Sequence, residues 1–163
     1  MSETSRFTIA SIDDDLVGIS AQYNPKELQY DRPVSWHAKQ GDDMQFAGTE
    51  GRSVTVELLF DGFEANASVV PRCAVLERLA TVIDPDSNDL DLHRPHHCIA
   101  IWGEAGTTGL PRLRCVIENL TVKYTMFSPA GIPLRATCTV KLKETDVLSK
   151  QAKAARDKNR RTS

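Results

Sequence analysis

Residues 120–144 read LTVKYTMFSPAGIPLRATCTVKLKE, and this stretch decides the fold. Apolar and polar residues alternate on both sides of the central SPAG, and a period of two is typical of strands with one buried and one wet face. Pro129 suits the second position of a type I turn, and Gly131 suits the left-handed residue of the bulge that follows such a turn. These residues predict a three-residue loop with Ser128 opposite Ile132.

The register set by this turn also matches the hydrophobic pattern. It places apolar residues of the first strand opposite apolar residues of the second. A shift of the register by one residue would instead pair each apolar residue with a polar one. Two independent signals therefore predict a long antiparallel hairpin, which needs further strands or a helix against its apolar face. The predicted pairs are Met126 with Leu134, Tyr124 with Ala136, Val122 with Cys138, and Leu120 with Val140.

The composition is that of an ordinary globular protein. Of 163 residues, 40% are hydrophobic and 26% are charged, and we predict one domain at residues 1–148 with a basic tail at 149–163. Residues 150–163 carry a net charge of +5, and residues 1–149 carry −7. No apolar run approaches the ~20 residues of a membrane span, and the N-terminus lacks the apolar core of a signal peptide. We therefore expect a cytoplasmic protein.

The four cysteines lie in apolar patterns, and none of them has the paired spacing of a zinc site. We interpret them as small buried hydrophobic residues in a reducing compartment. A disulfide framework is not expected at this length and spacing. The cysteines are Cys73, Cys98, Cys115 and Cys138.

Shorter segments with strand patterns supply the rest of a sheet. The alternation changes parity across Glu118 and Asn119, which predicts a β-bulge in the first strand of the hairpin. We predict about seven antiparallel strands and one helix, a mainly β fold that forms a small barrel or sandwich with the helix packed on it. The other predicted strands lie at residues 7–12, 16–23, 30–38, 53–60 and 98–102.

Two segments depart from the strand pattern. Residues 69–83 have apolar side chains at helical spacing, which predicts a helix with Ser68 as its N-cap and an end at Asp84. Residues 41–51 are polar and contain glycine, which predicts a mobile loop. Its large apolar residues, Met44 and Phe46, are predicted to dock on a neighbouring subunit.

One cluster has the chemistry of a metal site. Histidine and cysteine are zinc ligands, so His93, His96 and Cys98 make a small metal-binding enzyme one alternative. Neighbouring side chains on a strand point to opposite faces, however, so few of these groups can share one ion. The sequence contains no glycine-rich phosphate loop and no nucleophile elbow. We therefore predict neither a catalytic residue nor a cofactor.

The basic tail raises a second alternative, a nucleic-acid-binding module. Its lysines and arginines could neutralise phosphates, but it has no aromatic residue to stack on bases. We interpret it first as a solvated tail, then as a segment that docks on an acidic protein.

Five motifs in order resemble the tube-protein domain of contractile injection systems, the phage-tail-like particles that include antifeeding prophages and virulence cassettes. The resemblance covers about residues 7–148. It implies a phage-tail-tube fold, a homo-hexameric ring that joins the spike protein to the inner tube protein, and no enzymatic activity. In many members a LysM-type module follows this domain. Here we expect only the basic tail in its place. The motifs are Tyr23–Glu27, Leu58–Asp61, His93–Pro95 with Ile101–Gly103, 123–136, and Leu142–Glu144.

The second face of the hairpin is too regular and too polar to belong to a core. In a ring of strand-rich subunits, such a face is suited to a water-filled channel. We call it the polar face and predict that it faces the lumen of the tube or a neighbouring subunit. It consists of Thr121, Lys123, Thr125, Arg135, Thr137, Thr139 and Lys141.

Overall fold

Nine strands and one helix make up the part of the chain that this computed structural model describes, which is residues 6–39, 41, 43–103 and 109–145. The mainly β class with a single helix is confirmed, and the strands pair antiparallel throughout. The elements are β1 (Thr8–Ser11), β2 (Gly18–Ser20), β3 (Gln29–Asp31), β4 (Val34–Ala38), β5 (Met44–Thr49), β6 (Ser53–Asp61), α1 (Val70–Leu79), β7 (Cys98–Ile101), β8 (Leu113–Phe127) and β9 (Pro133–Glu144).

The predicted hairpin is confirmed in strands, turn and register. Leu120 lies opposite Val140 in the pairing of β8 with β9. The N–H of Gly131 donates to the carbonyl of Ser128 at 2.8 Å, and Gly131 has a φ of 82°, as a type I turn with a following bulge requires. Met126 is less buried than the alternation predicts, because it lies beside this turn with a φ of 55°.

The parity change in β8 is a bulge, as predicted. Ile117 lies opposite Leu142, but Asn119 lies opposite Lys141, so Glu118 is the extra residue. This extra residue lets both halves of β8 face the same core. Cys115 and Ile117 lie before it, and the alternating apolar residues lie after it.

The strands form one seven-stranded sheet and one separate ribbon. The order in the sheet is β2, β1, β7, β8, β9, β6, β3, and the ribbon consists of β4 and β5. The sheet curls until its ends approach. Gln22, just after β2, exchanges two hydrogen bonds of 2.8 Å with the backbone of Asp61 at the end of β6. Near the other edge, Leu28, Val54 and Trp102 line one apolar cleft.

The core lies inside this curl and is covered by α1. The buried face of β9 alternates with its half-buried and exposed residues along the whole strand, as a period of two requires. The helix contacts β2, β8 and β9 and buries Cys73, Leu76 and Leu79. Each aliphatic side chain buried here contributes about 1.5–3 kcal/mol relative to an exposed one.

The helix is shorter than the predicted 69–83. It ends at Leu79, because Val82 forms a β-bridge with Pro95 and the N–H of Ile83 donates to the carbonyl of Arg94. The predicted N-cap is also wrong. Val69 is the N-cap and makes no side-chain cap bond, whereas the Ser68 hydroxyl accepts the N–H of Val70 at 3.2 Å.

The segment 30–51 differs most from its prediction. The strand predicted at 30–38 divides at Pro33 into β3, which joins the sheet, and β4, which belongs to the ribbon. The mobile loop predicted at 41–51 is wrong, because Met44–Thr49 pairs with β4 as strand β5. Glycine and polar residues suggested a loop there, but the partner strand supplies the backbone hydrogen bonds.

Candidate functional site

The polar face lies on the side of the hairpin opposite the core. Thr121, Lys123 and Lys141 are exposed, and the other four members are half-buried. The register places Thr121 opposite Thr139, Lys123 opposite Thr137, and Thr125 opposite Arg135. The pairing predicted from the sequence is therefore confirmed, and the structure brings all seven side chains onto one continuous surface.

This surface extends onto β6, which the sequence reasoning did not include. Glu57 lies opposite Thr139, and Leu59 lies opposite Thr137, so both point to the same side as the polar face. Both are exposed. The alternation of residues 53–60 already predicted that Glu57 and Leu59 lie on the exposed side of a strand. Only the pairing of β6 with β9 shows that this side is continuous with the polar face.

A groove borders the same surface. The segment Tyr23–Glu27 lies beside Glu57 and Leu59 and encloses an open volume of about 390 Å³ with them. Tyr23 and Leu59 contribute exposed apolar surface to it, and Glu27 and Glu57 contribute exposed carboxylates. This side of the molecule is therefore a mixed surface of polar, charged and apolar groups.

Arg135 is the one member of the polar face that the structure ties firmly to another element. Its guanidinium lies 2.8 Å from a carboxylate oxygen of Asp61. Hydrogen bonds to Asp61 from the N–H of Phe63 and from Arg135 hold the pKa of this carboxyl below its usual range. Arg135 therefore helps to hold the turn after β6.

The two lysines of the polar face are exposed, and Lys141 forms only a loose ion pair. Nζ of Lys141 lies 3.7 Å from a carboxylate oxygen of Glu118, and both side chains are about half exposed. Such an exposed pair contributes at most about 1 kcal/mol and is weakened by salt. Both lysines therefore present their charge to the solution in front of this surface.

The ribbon presents a second candidate surface. Trp36 and Phe46 pack edge to face with their ring centroids 5.5 Å apart, yet 52% and 54% of their surfaces remain exposed. Ala38 lies opposite Met44 on the same side, and Met44 is also more than half exposed. Large exposed apolar groups in one patch are typical of a contact surface.

The ribbon has no other strand to support it among the described residues. It pairs only within itself. A two-stranded ribbon is marginally stable in water unless something covers its apolar face. Met44 and Phe46 therefore lie exposed on a strand and not on a mobile loop, and their docking on a neighbouring subunit stays a prediction.

Two of the three residues of the metal alternative make other contacts. His96 is buried, and its Nδ1 lies 2.7 Å from the hydroxyl of Ser11. Cys98 is buried, burial raises the pKa of its thiol, and its Sγ donates to the carbonyl of His96. His93 is exposed on the preceding loop. In the described part of the chain, no three His, Cys, Asp or Glu side chains are grouped to hold a metal ion.

The segment of this histidine cluster has a structural task. Arg94 forms two hydrogen bonds of 2.9 and 3.0 Å with Asp13, and the N–H of His97 donates to Asp13 at 2.8 Å. Burial alone would raise the pKa of Asp13, but these hydrogen bonds outweigh it, so the pKa lies below its usual range. The turn after β1 is thereby joined to the chain that leads into β7.

Two predicted features cannot be compared with geometry. The basic tail at 149–163 lies outside the described residues, so the nucleic-acid alternative that rests on it stays a prediction. The division into residues 1–148 and 149–163 likewise stays a prediction.

In the described segments, no helix is both long and apolar enough to cross a membrane.

The comparison with known families identifies the family of this chain. The family model for the contractile injection system tube protein matches residues 3–153, nearly the whole chain. The chain belongs to this family of structural components of injection particles. No curated protein matches the sequence. The resemblance carried by the five motifs is therefore confirmed.

Proposed function

We propose that the chain forms a homo-hexameric ring that joins the spike, or baseplate hub, to the inner tube of a contractile injection particle. In this role it is a tube initiator or adaptor with no enzymatic activity and no cofactor. The exposed apolar surface of the ribbon carries the proposal, because Trp36, Met44 and Phe46 need a covering partner that the described chain itself does not supply.

The ribbon docks on the next subunit of the assembly. A ring requires a heterologous contact, in which one surface of a subunit meets a different surface of its neighbour. The ribbon is suited to be one half of such a contact, because it stands apart from the seven-stranded sheet and exposes an aromatic pair. Aromatic residues and methionine are enriched in the centres of protein interfaces.

The polar face lines the lumen. Its threonines and lysines form regular cross-strand rows on the outer side of the sheet, with Glu57 and Leu59 beside them. A channel that passes cargo needs a hydrated wall, and hydroxyl and charged side chains retain water. The face is therefore suited to a wall that neither traps nor excludes polar cargo.

Mass photometry and electron microscopy of the purified chain test the ring. The chain is measured alone and after mixing with candidate spike and inner tube proteins. We expect six-fold rings, at least in the mixture. A strictly monomeric chain under all of these conditions would contradict the proposal.

Thiol labelling tests the lumen. All four native cysteines are buried, so a cysteine introduced by Thr137→Cys or Thr139→Cys is the reactive one. We expect a small reagent to label it before and after assembly, and a bulky reagent only before. Leu90→Cys, in an exposed loop, controls for reagent activity. Equal labelling by the bulky reagent before and after assembly would put the polar face outside the tube.

A further inference from the structure

We propose that Cys73 and Cys138 are a site of thiol oxidation, where a disulfide forms between α1 and β9. The two Sγ atoms lie 3.6 Å apart, although the residues are separated by 65 positions in the chain. Neither side chain has a measurable exposed surface. This pair has no part in the proposed assembly surfaces, so the inference stands independently of the ring.

The two sulfur atoms must move closer for the bond to form. A disulfide has an S–S length of about 2.05 Å, so the two sulfurs must approach each other by roughly 1.5 Å. The helix is held over β9 by side-chain packing and not by strand pairing, so a small shift of α1 and side-chain rotation can supply this approach. Cys138, in contrast, is fixed between Val122 of β8 and Leu58 of β6.

The surroundings keep the pair reduced until an oxidant reaches it. Burial first, and then the neighbouring Cys73, raises the pKa of Cys138 to about 12. The thiolate is the form that reacts, so oxidation is slow at neutral pH and becomes faster as the pH rises. Tyr124 lies beside the pair, and burial first, then the neighbouring Cys73, raises its pKa to about 12.

The other two cysteines provide a comparison within the same molecule. Cys98 and Cys115 lie directly opposite each other on β7 and β8 and are as deeply buried as the first pair. The thiol of Cys98, however, is directed to the carbonyl of His96, with a distance of 3.5 Å. We therefore expect this pair to remain as thiols under conditions that oxidise Cys73 and Cys138.

The reaction requires a two-electron oxidant, for which we use diamide. One thiol loses its proton and its sulfur adds to the N=N bond of diamide. The second sulfur then attacks the first and displaces the reduced reagent. The S–S bond is formed, and two electrons and two protons leave on the hydrazine product. A disulfide such as oxidised glutathione can serve as the oxidant through thiol–disulfide exchange.

The disulfide would fix the helix to the strand that it covers. It closes a long loop, and cross-linking distant residues removes conformations chiefly from the unfolded chain. The opposite face of β9 contributes to the polar face, so the oxidised subunit would hold α1 rigidly behind that surface.

The test uses the full-length wild-type chain, incubated with and without diamide in mildly alkaline buffer. Free thiols are then alkylated under denaturing conditions, and the chain is digested and mapped by mass spectrometry. We expect a peptide that joins Cys73 to Cys138, alkylated Cys98 and Cys115, a higher melting temperature, and reversal by dithiothreitol. Four alkylated cysteines would overturn the proposal, as would a Cys98–Cys115 bond or links between chains only.

Two variants sharpen the assignment. Cys98→Ala removes a thiol of the comparison pair and is expected to leave the cross-link and the rise in melting temperature intact. Cys138→Ala removes one partner and is expected to abolish both. A rise in melting temperature with diamide that persists in Cys138→Ala would overturn the assignment. If Cys138→Ala does not fold, the peptide map of the wild-type chain still decides it.

Discussion

The hydroxyl of Ser11 lies 2.7 Å from Nδ1 of His96, and both side chains are buried. The same oxygen accepts N–H hydrogen bonds from Asp13 and Asp14, at 3.1 and 3.0 Å. Because these two bonds occupy both lone pairs of the oxygen, the hydroxyl can only donate its proton to Nδ1. His96 is therefore neutral, with its own proton on Nε2, and it joins the end of β1 to the start of β7.

We predict that stability falls as the pH falls through the titration of His96. Burial lowers its pKa from 6.5, Arg78 and Arg94 lower it further, and Asp13 and Asp14 partly oppose them. The unfolded chain therefore binds the proton more readily than the folded chain. The resulting stability is fully present above pH 6.5 and is lost as the pH falls through the folded pKa.

Urea unfolding of the wild type and of His96→Asn over a pH series measures this effect. The asparagine carbonyl can still accept the Ser11 proton but does not titrate. We expect the wild type to lose more free energy of unfolding than the variant in this range. Parallel pH profiles would refute the role of His96. The carboxyl pKa values of Asp13, Asp61 and Glu144 are lowered too, that of Glu144 first by a hydrogen bond from Arg52. The stability that these carboxylates contribute is lost only as the pH falls below the ordinary carboxyl range.

We predict that Gly131→Ala destabilises the domain by about 1–3 kcal/mol, the cost of a non-glycine residue held in an unfavourable backbone conformation. The cost comes from the φ of 82° at this position. It does not come from a steric clash, because a Cβ here would meet no atom within 4 Å. Gly131→Asn serves as the matched control, because asparagine tolerates the left-handed region better. Thermal unfolding measures both variants. Equal stability of Gly131→Ala and the wild type would contradict the turn geometry.

We predict that Phe46→Ser impairs assembly while the isolated domain stays folded. Phe46 is 54% exposed but packs on Trp36, so its loss is expected to lower the free energy of unfolding by about 0.5–1.5 kcal/mol, the contribution of such an aromatic pair. Leu16→Ser is the control, because Leu16 is 90% exposed but lies outside the ribbon. Mass photometry of mixtures with partner proteins measures assembly. The same assembly for both variants would argue against docking by the ribbon.

We predict that Lys123→Glu with Lys141→Glu alters ring assembly or the passage of cargo. In the isolated chain these changes cost little, because both lysines are exposed and the pair of Lys141 with Glu118 is weak. In a six-fold ring the new charges repeat around one lumen, where their repulsion is less screened than on an open surface. The measurement compares stability and assembly with those of the double glutamine variant. Assembly and cargo passage equal to those of the glutamine variant would contradict the lumen assignment.

Local sequence patterns determined the hairpin and the class of fold. Turn residues and period-two alternation act over a few neighbouring positions, so Pro129, Gly131 and the bulge at Glu118 could be interpreted without knowledge of any other strand. The same holds for the polar face, since the alternation that buries Cys138 turns Thr137 and Thr139 to the opposite face. The family could likewise be identified from motifs in order.

Contacts between segments decided the rest. The bridge of Val82 with Pro95 ends the helix early, and β4 converts residues 44–49 from an expected loop into a strand. Pro95 lies beyond the loop that follows α1, so no local pattern identifies it as the partner of Val82. Strand β4 directly precedes β5, but the glycine and polar residues of 41–51 concealed this pairing. Tertiary structure also closed the curl through Gln22 and Asp61, and brought Cys73 against Cys138. Such pairings depend on how the whole sheet curves, which no single segment of the sequence specifies.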